Sequence, residues 1–201
     1  MKRGMLALLL VLFIAAVSGY SAQKVEQPDI RQFRPREVKM DRNHDGKIDR
    51  IEIYDKSGVI QKVMVDTTGD GKLNDVVYYK NGAPEKGERD INGDGKPDVF
   101  LIYDKAGMII KSRTDTNGDG KVDEWVTYRN SLPYEAQKDL NSDGKPDTFL
   151  KYNDKGMLTR VESDTNKDGK VDEWVYYENG KPVKAEKDTN ADGKPDTWIT
   201  Y

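Results

Sequence analysis

The chain has 201 residues, 34% of them charged and 35% hydrophobic, with a formal net charge of −3 and no cysteine. So lean an apolar fraction supports one domain or two small ones only if something besides a large core holds the fold. The absence of cysteine excludes disulfides and thiolate metal sites, and the mild acidity gives no basic stripe of the kind that marks a nucleic-acid partner.

At the start, Lys2 and Arg3 precede the apolar run Met5 to Val17, followed by the small residues Ser18, Gly19, Ser21 and Ala22. This reads as a secretory signal peptide over residues 1–22, shorter than the roughly 20 apolar residues of a membrane span. The stretch "VSGY" at 17–20 has the shape of a bacterial lipoprotein signal, but Tyr20 stands where a lipidated cysteine would be, so lipid anchoring is not expected. The expected location is secreted or periplasmic, with no membrane span after cleavage, and losing Lys2 and Arg3 moves the formal charge from −3 to −5. Residues 23–40 would then lead into a first strand, and 41–201 into a repeat domain.

The nonapeptide "DINGDGKPD" at 90–98 has seven copies, starting at Asp41, Asp66, Asp90, Asp115, Asp139, Asp164 and Asp188, spaced alternately 25 and 24 residues apart. Every copy has Gly at position 6, Lys at position 7 and Tyr at position 14, the last being Tyr54, Tyr79, Tyr103, Tyr128, Tyr152, Tyr177 and Tyr201. Runs such as "VFLIY" (99–103) and "EWVYY" (173–177) between the loops are short and rich in β-branched and aromatic residues, as strands are. Each run meets a turn signal, "DKSG", "DKAG" or "DKG" in the longer units and "KNG" or "ENG" in the shorter, and Asn-Gly between strands is a strong hairpin signal. Before each loop, charged residues alternate with the small or apolar Val63, Gly87, Ser112, Ala136, Val161 and Ala185, which predicts one wet and one packed face. The expected fold is all-β: a tandem β-hairpin meander, an elongated array or shallow superhelix, with seven calcium loops along one edge. β-Propeller-like blades are the alternative.

Calcium is inferred from the donor pattern. Ca²⁺ takes six to eight oxygens at about 2.3–2.6 Å, and a tight loop offers side-chain oxygens from positions 1, 3, 5 and 9 with the carbonyl of position 7. Gly at position 6 permits the sharp turn. The ligands so assigned are Asp41, Asn43, Asp45, Lys47 and Asp49 in the first loop, and Asp66, Thr68, Asp70, Lys72 and Asn74 in the second. The third and fourth loops supply Asp90, Asn92, Asp94, Lys96 and Asp98, then Asp115, Asn117, Asp119, Lys121 and Asp123. The fifth and sixth supply Asp139, Asn141, Asp143, Lys145 and Asp147, then Asp164, Asn166, Asp168, Lys170 and Asp172. The seventh supplies Asp188, Asn190, Asp192, Lys194 and Asp196. Each lysine contributes only its backbone carbonyl. With two charged ligands, Asp66 and Asp70, the second loop is the weakest of these sites.

The loops resemble EF-hand calcium loops, D-x-[DN]-x-[DN]-G, and the first copy follows that pattern to Glu52 at position 12, which the resemblance makes a further ligand. The other six have Val77, Leu101, Val126, Leu150, Val175 and Ile199 there, and proline in "KPD" and the β-formers that follow do not fit flanking helices. A nearer likeness is to the calcium hairpins of integrin-type and VCBS/FG-GAP repeats, where "DxNGDGxxD" runs into an apolar strand. The "YYENGKP" turn at 176–182 resembles MORN-like hairpins.

The Tyr column is expected to form a cross-strand ladder, with the position-11 aromatics Phe100, Trp125, Phe149, Trp174 and Trp198 on the opposite face. His44, the one histidine, is read as a bland loop residue. Paired acids could hydrolyse a glycoside, but every clustered acid here has a ligand role, so no catalysis is expected. The functional expectation is a calcium-rigidified structural or adhesive repeat protein, with a cell-surface or carbohydrate-recognition module on the aromatic face as the alternative. Its expected partners are calcium, a cell-surface protein or polysaccharide, and a second copy joined edge to edge, since the last strand would leave unpaired backbone groups.

Overall fold

The computed structural model describes residues 34–201; the leader read at residues 1–22 lies outside them, as does most of the 23–40 segment. The described residues form fourteen strands: β1 (Glu37–Met40), β2 (Arg50–Tyr54), β3 (Ile60–Val65), β4 (Asp75–Lys80), β5 (Ala83–Arg89), β6 (Val99–Tyr103), β7 (Ile109–Thr114), β8 (Glu124–Arg129), β9 (Leu132–Lys138), β10 (Thr148–Tyr152), β11 (Leu158–Ser163), β12 (Glu173–Glu178), β13 (Lys181–Lys187) and β14 (Thr197–Thr200). Each pairs antiparallel with the next in one sheet, with β1 and β14 at its two edges. The meander is therefore the fold, and separate propeller blades are set aside, because one continuous ladder runs through all fourteen strands and does not close. At about 4.8 Å between strands such a sheet is about 60 Å across.

Two kinds of hairpin alternate along the edge opposite the nonapeptides. In the short units both central residues have positive φ, Asn81 and Gly82 at 54° and 80°, Asn130 and Ser131 at 52° and 62°, Asn179 and Gly180 at 50° and 76°. That is the turn whose twist matches paired strands. In the longer units an aspartate organises the turn: the Asp55 carboxylate accepts the N–H groups of Ser57 at 2.8 Å and Val59 at 2.9 Å.

The register explains the composition of each face. Position 12 lines up across the sheet with the small residues of the return strands, giving one row that includes Val63, Val77, Gly87, Leu101, Ser112, Val126 and Ala136. Position 14 lies on this same face. A Cβ on Gly87 would stand 3.1 Å from the Tyr103 hydroxyl, and Ser112 Oγ lies 3.2 Å from that of Tyr128. The return strand is small at this row because a tyrosine from the next strand lies over it. Among the described residues Val63, Ala136 and Ala185 are the buried apolar ones, and no large side chain there is fully buried. Stability therefore rests on ladder hydrogen bonds and cross-strand pairs, at about 0.2–1 kcal/mol a pair.

The opposite face alternates aromatic with charged or polar. Phe100, Arg113, Trp125, Gln137, Phe149, Glu162, Trp174, Glu186 and Trp198 follow one another across the strands, position-11 aromatics alternating with return-strand residues. Cations from the return strands lie on the rings: Lys86 is 4.5 Å from the Tyr78 centroid, and Arg160 5.2 Å from that of Tyr176.

Candidate functional site

The acidic edge is built from seven copies of one closed hydrogen-bond circuit. The position-1 carboxylate accepts the N–H of the position-6 glycine in every loop, at 2.6 to 2.9 Å. The position-3 side chain accepts the position-5 N–H, at 2.8 to 3.4 Å, the longest being to the Thr68 hydroxyl. The position-5 carboxylate accepts the lysine N–H of position 7 at 2.8 or 2.9 Å. Position 9 closes the circuit by accepting the N–H of position 2, from Arg42 at 2.5 Å to Thr189 at 3.1 Å.

These bonds have a visible cause in the backbone. All seven position-6 glycines have φ between 86° and 92°, a region costly for any residue with a Cβ. Position 4 is left-handed too, and His44, Ser142, Lys167 and Ala191 occupy it at φ of 59° to 65°. His44 is thus one of several residues tolerated at a turn position, in keeping with its bland reading.

Burial separates the acids into two roles. Asp49, Asp98, Asp123, Asp147 and Asp172 at position 9 are buried, as are Asp66, Asp115, Asp139 and Asp188 at position 1, whereas all seven position-5 carboxylates are exposed. Burial raises the Asp66 pKa, but hydrogen bonds from Gly71, Gly69 and Thr68 outweigh it and hold the carboxyl below its usual value. At Asp172 burial is likewise overcome, by the Thr165 hydroxyl and the Thr165 and Asn166 N–H groups.

Adjacent loops are stapled together through the backbone. The position-1 N–H of each loop donates to the position-9 carbonyl of the loop before it: Asp66 to Asp49, Asp90 to Asn74, Asp115 to Asp98, Asp139 to Asp123, Asp164 to Asp147 and Asp188 to Asp172, all at 2.8 or 2.9 Å. Lys47 also reaches the second loop, its ammonium 3.2 Å from the Asp70 carbonyl. Position 9, expected to be a ligand, thus has a second role, and the sequence signal for it is that Asn74, uncharged, still stands there. Its carbonyl oxygen accepts the Thr67 N–H at 2.8 Å.

Glu52 stands apart from the first loop. It lies in β2, its carboxylate hydrogen-bonded to Tyr54 and 2.7 Å from the Arg50 guanidinium. The Tyr54 hydroxyl first, and then Arg50, lower its pKa. Position 12 falls in the packed row beneath the tyrosines, which is why the other six copies are aliphatic there.

The donor set suits a hard cation in kind, being carboxylate, amide and carbonyl oxygen. In arrangement it is not gathered: among the described residues no three Asp, Glu or His side chains converge to hold a metal ion, because the position-1 and position-9 carboxylates face backbone N–H groups. Each carboxylate has about four lone-pair sites, so these bonds leave capacity unused. No backbone N–H among the described residues donates to a position-7 carbonyl.

Fold and edge together define a single-layer β-hairpin repeat protein with an acidic, laddered turn edge. No family model matches the chain, and no curated relative does. Among solved structures, it is similar to accessory secretory protein 1, 2 and 3 of Streptococcus pneumoniae at 15% identity, covering 65% of this chain and 22% of that one, with a TM-score of 0.36. It is also similar to an S. aureus TarM mutant in complex with fondaparinux, α-GlcNAc-glycerol and UDP, at 15% identity, covering 67% and 21%, with a TM-score of 0.31. The chain spans about a fifth of the length of those two, and similarity at this level carries no argument about activity. Among the described residues no helix is long and apolar enough to cross a membrane.

Proposed function

We propose that the protein is an exported structural or adhesive scaffold, of the calcium-loop repeat type, whose acidic edge takes up Ca²⁺. The observation that carries this reading is the edge itself: seven turns of one geometry, bonded loop to loop, bring three carboxylates each, two in the second loop, into a line with one lysine per loop, two in the sixth. With two strands per repeat, neighbouring loops are about 10 Å apart, close to one Debye length at 0.1 M salt. Their repulsion is thus only partly screened, and cations relieve it. Positions 1, 3, 5 and 9 with the position-7 carbonyl would hold the ion, and it would supply charge neutralisation and cross-linking of the turn. With acids on a preformed turn and no bidentate Glu, affinity belongs in the roughly 10⁻⁴–10⁻³ M class of extracellular modules. Calorimetric titration of calcium into metal-free protein tests this: uptake of several ions with a raised melting temperature supports it, and a folded protein indifferent to millimolar calcium refutes it.

A second reading rests on the aromatic face. A shallow groove there is lined by Phe100, Lys111, Arg113, Trp125, Glu135 and Gln137, a combination of ring and hydrogen-bonding groups suited to a polysaccharide. Glycan binding lost on Trp125→Ala and Trp174→Ala, in protein that still melts cooperatively, is the supporting result.

A further inference from the structure

We propose that the sheet continues from molecule to molecule, β14 of one copy pairing head to tail with β1 of the next. The evidence is the match between its two edges. At one edge, Tyr201 N–H donates to the Val183 carbonyl, so alternate residues Thr197 and Ile199 bond to β13 while Trp198 and Thr200 turn their N–H and C=O groups outward. At the other edge, Tyr54 N–H donates to the Arg36 carbonyl, which turns Val38 and Met40 toward β2 and Glu37 and Lys39 outward. Two outward pairs at the same spacing face each other when Ile199 is set opposite Val38.

That register satisfies every row of the sheet. Ile199 and Val38 extend the packed row; Lys39 comes beside Trp198, as Arg113 sits 5.4 Å from the Phe100 centroid within the chain. With the same one-residue bulge that the chain makes beside Pro84, Pro133 and Pro182, which face Tyr79, Tyr128 and Tyr177, Pro35 falls opposite Tyr201. The segment "RPREVKM" (34–40) is in fact a return strand like "APEKGER" (83–89) and "LPYEAQK" (132–138), with one telling departure. Where those end in Arg89 and Lys138, paired to Asp75 and Glu124, β1 ends in Met40, and β14 offers it the uncharged Thr197. The loop ladder also continues: Asp41 N–H makes no backbone bond among the described residues and no backbone N–H there reaches the Asp196 carbonyl, and these two are brought together.

The polarity follows from the edges. Joining β14 to β14 would set loops of one copy against hairpins of the other and end the ladder, whereas head-to-tail joining keeps all loops on one side and, being heterologous, propagates. The inference does not depend on calcium.

The chain has no cysteine, so single-cysteine variants report pairing cleanly. Val38→Cys and Ile199→Cys would meet at a non-hydrogen-bonded pair with Cα atoms about 4.5 Å apart, within disulfide range. The full chain is used, at high protein concentration and an ionic strength that screens the acidic edge. Mixing the two variants under oxidation should give a disulfide dimer that neither gives alone, and the double variant a ladder of dimers, trimers and longer species. Lys39→Cys with Trp198→Cys, on the open face, repeats the test without touching packed residues. The proposal is overturned if neither pair cross-links above a Lys105→Cys hairpin control, or if Ile199→Cys alone cross-links as well as the mixture.

Discussion

Replacing two of the third loop's three acids, Asp98 and Asp94, one at a time separates the work of holding the turn from the work of meeting a cation. Asp98 is 6% exposed and accepts three bonds, from Ile91 N–H at 2.7 Å, Asn92 N–H at 3.0 Å and the Asn92 amide at 2.9 Å. Asp94 is exposed and accepts one, from Lys96 N–H at 2.8 Å. A hydrogen bond to a charged group is worth about 1.5–3 kcal/mol, less where water can replace the lost partner. Ile91 is 64% exposed, so water reaches part of the opened turn, and the net cost of Asp98→Ala comes to about 2–3 kcal/mol. For a chain of this length each kcal/mol moves the melting temperature by about 2–4 °C, giving a fall of about 5–10 °C in chelator. Asp94→Ala should stay within about 2 °C there, yet lower calcium uptake by one site in the titration. Thermal melts in chelator and in calcium, run on both variants, decide the matter. If Asp98→Ala melts with the parent, or Asp94→Ala falls as far as it does, the division of labour between buried and exposed acids is wrong.

Glu52→Gln should leave calcium uptake unchanged by calorimetry, because that carboxylate is engaged by Arg50 and Tyr54 in β2. Gly87→Ala should stabilise by roughly 0.5–1 kcal/mol by removing a mid-strand glycine. The one close contact is the free end of Tyr103, so a lowered denaturation midpoint would show that the ring cannot yield. Gly120→Ala should cost about 1–2 kcal/mol although nothing lies within 4 Å of the new Cβ, since the penalty is the φ of 86° itself. The folded-state pKa values of Asp66, Asp172 and Asp196 are lowered. Their contribution is present above the unfolded value of about 3.9 and lost as pH falls through the folded values below it, so the metal-free melting temperature should hold across neutral pH and drop below about pH 4. Burial raises the Tyr103 and Tyr152 pKa values; that contribution is lost as pH climbs past about 10.

Much of the fold was legible because the repeat supplies its own alignment. Gly at position 6 and Tyr at position 14 fixed the period, and the small residues Gly87, Ala136 and Ala185 marked the packed face before any neighbour was known. The role of position 12 was legible only by contrast: Glu52 suggested a ligand, while Val77 and Leu101 recorded what the row needs. Separate blades could not be told from one sheet by periodicity, since both repeat hairpins at the same interval and differ only in whether a ladder breaks. The inward bonding of the position-9 acids was hidden for a related reason. An aspartate that accepts N–H groups and one that meets a cation are the same letter, and only burial distinguishes Asp98 from Asp94.

The sequential strand order has a mechanical meaning. With β1 and β14 at opposite edges, tension applied between the ends of the sheet loads its ladders in series and peels strands off one at a time, rather than shearing many bonds together. Each repeat let go frees 24 or 25 residues, which at about 3.3–3.6 Å per residue yields some 80 Å of slack. Ions seated at the turns would raise the force at which each unit yields without changing the length it releases, so the same sheet could serve as a stiff strut in calcium and an extensible tether without it.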